Sequence, residues 1–168
     1  MRSVLCTALL LSLVRIGNAA ELTGFEVPPF LSGPTVSRSA FGVTYAYTGQ
    51  PPHAASELQL TVVAVPAQID GAPAELPAQC LTAFLAELRG RDAALRVDDT
   101  ARQVETDHFP MLARRWLSKR GSRPITGVTA CGLHHGYFVS ANYADDLHGA
   151  VQSFPALRAA LRRVSLRF

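Results

Sequence analysis

The residues best equipped for chemistry in this 168-residue chain are its histidines, its paired aspartates and two of its cysteines. Asp107-His108 and His134-His135 fall at turn positions flanking two apolar, strand-like runs. Three imidazoles and a carboxylate suit zinc or another transition metal such as nickel or copper. A second group, Asp145-Asp146 and His148, cannot join them. Extended chain rises ~3.3 Å per residue, so the run between His135 and Asp145 separates the two groups by roughly 25–30 Å. Asp98-Asp99 and Asp145-Asp146 are each adjacent in sequence, and neighbours in extended chain point to opposite faces. That geometry suits solvated loops better than the facing carboxylates of a glycosidase. Arg114 and Arg115 precede Trp116, and an exposed Arg114/Trp116 face would suit an anionic ligand or partner.

Most enzyme mechanisms lack their parts. The chain has no GxSxG elbow, no phosphate-binding P-loop, no GxGxxG after a strand and no HExxH. Catalytic residues are therefore expected to be none, and no cofactor is expected beyond the rim metal. An envelope hydrolase whose site is assembled only by the fold stays open as an alternative, because such sites leave no local motif. No CxxC is present to carry thiol exchange.

The elements that must position these residues begin after an export signal. Arg2 opens a short basic region, Val4 to Val14 is apolar, and Gly17-Asn18-Ala19 offers small residues where a signal peptidase reads. Residues 1–19 are expected to be removed, leaving a single exported domain over 20–168. An apolar run of this length falls short of the ~20 residues of a spanning helix, and no later segment approaches it. No membrane span is expected after cleavage. Loss of Arg2 and Arg15 takes 16 basic residues to 14 against 13 acidic ones, lowering the formal charge from +3 to +1. A nucleic-acid partner loses its main support with them. Cys6 leaves with the signal, so Cys80 and Cys131 remain as an even pair in an oxidising compartment, the pattern of a disulfide. Localisation is expected to be periplasmic or secreted.

Residues 20–39 are punctuated by Pro and Gly and predict an extended lead-in. Phe41, Val43, Tyr45 and Tyr47 alternate with small or polar residues, the period of a half-buried strand, and Leu58 to Val65 predicts its hairpin partner, ended by Pro66. Leu81, Phe84, Leu85 and Leu88 recur at helical spacing over about 78–89, with Gly90 as a stop. One strand is expected within 94–106, broken near Asp98-Asp99. Leu112 to Arg120, Ile125 to Leu133 and Tyr137 to Tyr143 predict three more, the last two joined by His134-His135-Gly136. Ser153 is placed to cap a closing helix with Pro155 in its first turn and Leu157, Leu161 and Val164 inward. The aromatic residues Phe41, Tyr45, Phe84, Trp116, Tyr137 and Phe154 are otherwise expected in or near the core. The fold class is α+β, a twisted antiparallel sheet covered by helices, in the order β-β-α-β-β-β-β-α. An up-down-up meander of the later strands brings Asp107, His108, His134 and His135 to one rim. Lys119, Arg120, Arg123, Asp145, Asp146 and His148 fall at the other.

The glycine-led strand GYFVSANY, its polar loop and the helix FPALRAALRRVSL resemble the ending of PsbP-like and DcrB-like α/β-sandwich proteins. The hairpin FGVTYAY…LQLTVVAV is similar to their opening. The resemblance covers most of the mature chain in pattern and order and carries no functional residue across. It implies an exported, non-enzymatic accessory or binding protein of the bacterial envelope, acting through its surface on an envelope protein or small ligand. The alternative from another class is a metal-binding protein using the His108/His134/His135 rim.

Overall fold

The computed structural model describes residues 20–65 and 71–168, so the expected signal segment and the strand end at Pro66 lie outside the described residues. The elements run β1 (Glu21–Thr23), β2 (Leu31–Arg38), β3 (Gly42–Gly49), β4 (Glu57–Ala64), α1 (Leu76–Arg91), β5 (Arg96–Val97), β6 (Arg102–Glu105), β7 (Pro110–Arg120), β8 (Arg123–His134), β9 (Tyr137–Asp146), α2 (Leu147–Arg162) and β10 (Ser165–Arg167). Eight strands form one antiparallel sheet in the order β2-β3-β4-β9-β8-β7-β5, with β6 also paired to β7. A separate ribbon pairs β1 with β10. Among the described residues no helix is long and apolar enough to cross a membrane.

The two helices cover opposite faces of the sheet, and strand alternation sorts the core accordingly. On one face Leu58 and Leu60 of β4, Met111 and Ala113 of β7, Ala130 of β8 and Val139, Ala141 and Tyr143 of β9 pack with Leu157, Leu161 and Val164. On the other, Leu81 and Leu85 of α1 pack with Trp116, Cys131 and Ala144, with Leu112 and Ile125 alongside. Cys80 and Cys131 form a disulfide between α1 and β8, with Cα atoms 6.1 Å apart, inside the usual range of about 4.4–6.8 Å.

The α+β class and the antiparallel meander follow the sequence pattern, while several details differ from it. The lead-in holds β1 and β2, and the chain ends in β10. The strand expected within 94–106 is split into β5 and β6, both on β7, with Asp98-Asp99 between them. Phe41 is 78% exposed, because the chain turns through Ser39–Gly42 before β3 begins. The closing helix starts six residues earlier than expected. Its cap is Asp146, whose side chain accepts from the Gly149 N–H at 2.7 Å; Ser153 faces inward and Pro155 lies within the helix.

Candidate functional site

Register places the histidines as the meander predicts. Met111 pairs with Gly132 and His134 with Tyr137, so His108, His134 and His135 share one end of the sheet. Ile125 pairs with Asp146, so Asp145, Asp146 and His148 lie at the other. The rim nevertheless does not assemble as a ligand set. The His134 ring stacks on Phe109 at 4.8 Å and meets His135 edge-on at 4.2 Å. Burial, then the neighbouring His135 and His108, hold its pKa below the ordinary value of 6.5. His135 takes a φ of +48° and packs against Phe168. Asp107 turns instead to Arg162, 4.0 Å away. Among the described residues no three His, Cys, Asp or Glu side chains are placed to hold one metal ion.

The Arg114/Trp116 surface needs a correction too. Trp116 is 5% exposed. Its indole lies where a Cβ on Gly127 would stand, and its N–H donates to Thr129 Oγ1 at 3.1 Å. An aromatic ring filling the slot left by a glycine is a core device, not a docking face. Arg114 is half-buried with an unpartnered Nε.

The opposite correction applies to Asp145, expected in a solvated loop and fully buried. Ser56, Tyr143 and Ser153 donate to its Oδ2 at 2.7, 2.9 and 3.0 Å, and the Asp146 N–H donates to Oδ1 at 2.8 Å. Burial pushes the Tyr143 phenol well above its ordinary range. His53 Nδ1 stands 3.8 Å from Oδ2 without a hydrogen bond. Ser, His and Asp thus converge, but Ser56 donates to the carboxylate and not to the imidazole, so no base activates it as a nucleophile. The cluster ties the segment before β4, the end of β9 and α2 together.

The surface able to receive something lies on the α2 face of the sheet. A narrow cleft of about 130 Å³ runs between α2 and the strands, floored by Ala113, Val128 and Ala130, walled by Val104, Phe154, Leu157 and Leu161. Arg102, Arg115 and Arg158 edge it, with Asp98 as the acid on its lining. It continues past Arg115, Phe154 and Arg158 into an open depression of about 560 Å³ bordered by Leu147, Ala150 and Val151. The Arg115 guanidinium sits 5.6 Å over the Phe154 ring. Leu147 and Val151 are exposed, at 41% and 77%, as is Leu117, paired across β7/β8 with Thr126 on the same border. The sequence reading missed this groove. Its one available signal is Leu147, Val151, Phe154 and Arg158, a second helical stripe beside the buried one on α2.

Comparison with known proteins finds no matching family description and no matching curated sequence. Solved structures do match. Cyanobacterial PsbP from Synechocystis sp. PCC 6803 aligns with a TM-score of 0.58 at 9% identity, over 89% of this chain and 93% of that one. LpqN of Mycobacterium tuberculosis, involved in cell envelope biogenesis, aligns at 0.55 and 15% identity, over 90% and 87%. PA94 of Pseudomonas aeruginosa, a protein of unknown function, aligns at 0.52 and 10% identity, over 89% and 99%. The chain has a PsbP-like fold.

Proposed function

We propose that the protein is an exported, non-enzymatic accessory protein of the cell envelope that holds a partner in the groove between α2 and β6-β7-β8. The single observation that carries this reading is the groove itself: an apolar floor edged by Arg102, Arg115 and Arg158, none of which forms an ion pair with another described residue. Charged side chains left free around a dry slot suit recognition, since both terms gain when an occupant covers them. The apolar run Val4 to Val14 ahead of Gly17-Asn18-Ala19 supports export. The likeness in fold to LpqN is compatible with an envelope setting. Against catalysis stands the buried Ser56–Asp145 arrangement, whose hydroxyl is committed to a carboxylate.

In-cell photo-crosslinking tests the site. A benzophenone residue replacing Val151 is expected to give a discrete cross-linked product, and one replacing Glu87, on the exposed side of α1, is not. A product from position 87 with none from 151 would move the working surface to the other face of the sheet.

A further inference from the structure

We infer that the occupant of this groove is a short acidic protein segment that plants one large apolar side chain in the cleft and sets carboxylates against Arg102, Arg115 and Arg158. The inference rests on the groove being the working surface.

Size decides the first half. A cavity of about 150 Å³ accommodates a benzene-sized group, so the cleft of about 130 Å³ takes one Phe or Leu side chain. Pockets that enclose a drug-sized molecule run to roughly 300–1,000 Å³, and a phospholipid acyl chain needs a longer slot than Val104, Ala113, Ala130 and Leu161 leave. The open depression beyond the cleft buries little of any small ligand but offers a continuing surface to a polypeptide. From Leu147 to Leu161 the helix wall extends ~21 Å at 1.5 Å per residue, enough for about six extended residues at ~3.3 Å each.

Charge decides the second half. Arg38, Arg91, Arg120, Arg162, Arg163 and Arg167 each hold a carboxylate of this chain. Arg102, Arg115 and Arg158 have no such ion pair among the described residues, and Asp98 alone opposes them on the lining. The order along the groove is deep apolar cleft, arginine cluster, then the apolar lip of Leu147 and Val151. A complementary segment carries an apolar anchor, acids beside it and a second apolar residue further on.

Fluorescence anisotropy with labelled synthetic peptides tests this. The probe has one Phe flanked by glutamates and a Leu downstream; the controls replace that Phe by Ala or the glutamates by lysines. The acidic Phe peptide is expected to bind, with affinity that falls as salt rises. Removing the Phe, or introducing Arg115→Glu with Arg158→Glu, should weaken it by at least about tenfold, and the lysine peptide should not bind. Both arginines are solvent-facing, so the double variant should keep the wild-type melting temperature, which separates lost recognition from unfolding. Short-chain phosphatidylglycerol is titrated in parallel, with groove amides followed by NMR. Lipid moving those amides while the acidic peptide does not would overturn the occupant and leave the groove reading standing. Unchanged peptide affinity in the double variant would also overturn the occupant. If no probe moves the groove amides and position 151 cross-links to nothing, both readings fall.

Discussion

Asp145 and His134 show how differently two polar side chains can be lodged in one sheet. Asp145 is a buried carboxylate surrounded by donors, three hydroxyls on Oδ2 and a backbone N–H on Oδ1. Asp145→Ala would leave Ser56, Tyr143 and Ser153 without their shared acceptor. A loss of roughly 2–4 kcal/mol is expected from stranding buried donors, read as a lower urea midpoint at unchanged slope. A midpoint within experimental error of wild type would show that the cluster does not hold α2 to the sheet. His134 works the other way. Burial and two neighbouring imidazoles lower its pKa below 6.5 in the fold, so the unfolded chain takes up the proton first as pH falls. Stability should therefore drop as pH passes downward through 6.5 to the lower folded value, and level off below it. His134→Phe, which keeps the stack on Phe109, should flatten that part of the melting-temperature profile; an unchanged slope would assign it to other groups. The rim was legible in the sequence because strand direction alone places turns at one end or the other. Asp145 was not, since adjacency to Asp146 says only that the two point apart, and not that one of them meets a helix N-terminus.

At the scale of elements, α2 and the disulfide divide the work of covering the two faces. Leu157 and Leu161 are 2% and 4% exposed beneath α2. Leu161→Ala should cost roughly 2–5 kcal/mol by chemical denaturation, and a value under ~1 would mean the helix end collapses into the space. α1 buries fewer side chains, Leu76, Leu81 and Leu85, so the Cys80–Cys131 bond matters more on its side. The bond spans 51 positions, and constraint of the unfolded chain amounts to about 4 kcal/mol on the entropy model. Replacing both cysteines by alanine should lower stability by up to that amount, with loss of protection greatest in α1; equal stability of the two proteins would refute the linkage. Both helices were visible in advance because their apolar spacing repeats at 3–4. Their starts were not. Ser153 and Pro155 look like a cap and a first turn, but Asp146 offers an earlier cap and Ser153 finds a buried carboxylate to bond. The short strands β1, β2, β5 and β10 have no period of their own to read. They exist because β3, β7 and each other present free edges.

Across the whole molecule the chain closes on itself, and that closure depends on residues far apart in sequence. β4 pairs with β9 across the intervening helix and three strands, the kind of long-range pairing that makes folding slow. β1 meets β10 through Glu21↔Arg167, Leu22↔Leu166 and Thr23↔Ser165. Gly24, at a φ of +72°, lets the chain pass where a Cβ would lie 2.0 Å from the Arg163 carbonyl oxygen. Leu22, Phe25 and Leu166 then lie on the main core, and Arg167 with Arg38 holds the Glu21 carboxyl below its ordinary pKa. This ribbon is a latch on a sheet whose own ladder is complete without it. Removing residues 165–168 should therefore raise hydrogen exchange at 21–23, which lose their partner, and at 135–137, which lose Phe168 from the His135 and Tyr137 rings. Protection in β7, β8 and β9 should stay near the global limit, because local opening and global unfolding are separate events in such a fold. Loss of protection across all three strands together would mean instead that the latch is part of the cooperative unit, and that the sheet cannot stand until the two ends have met.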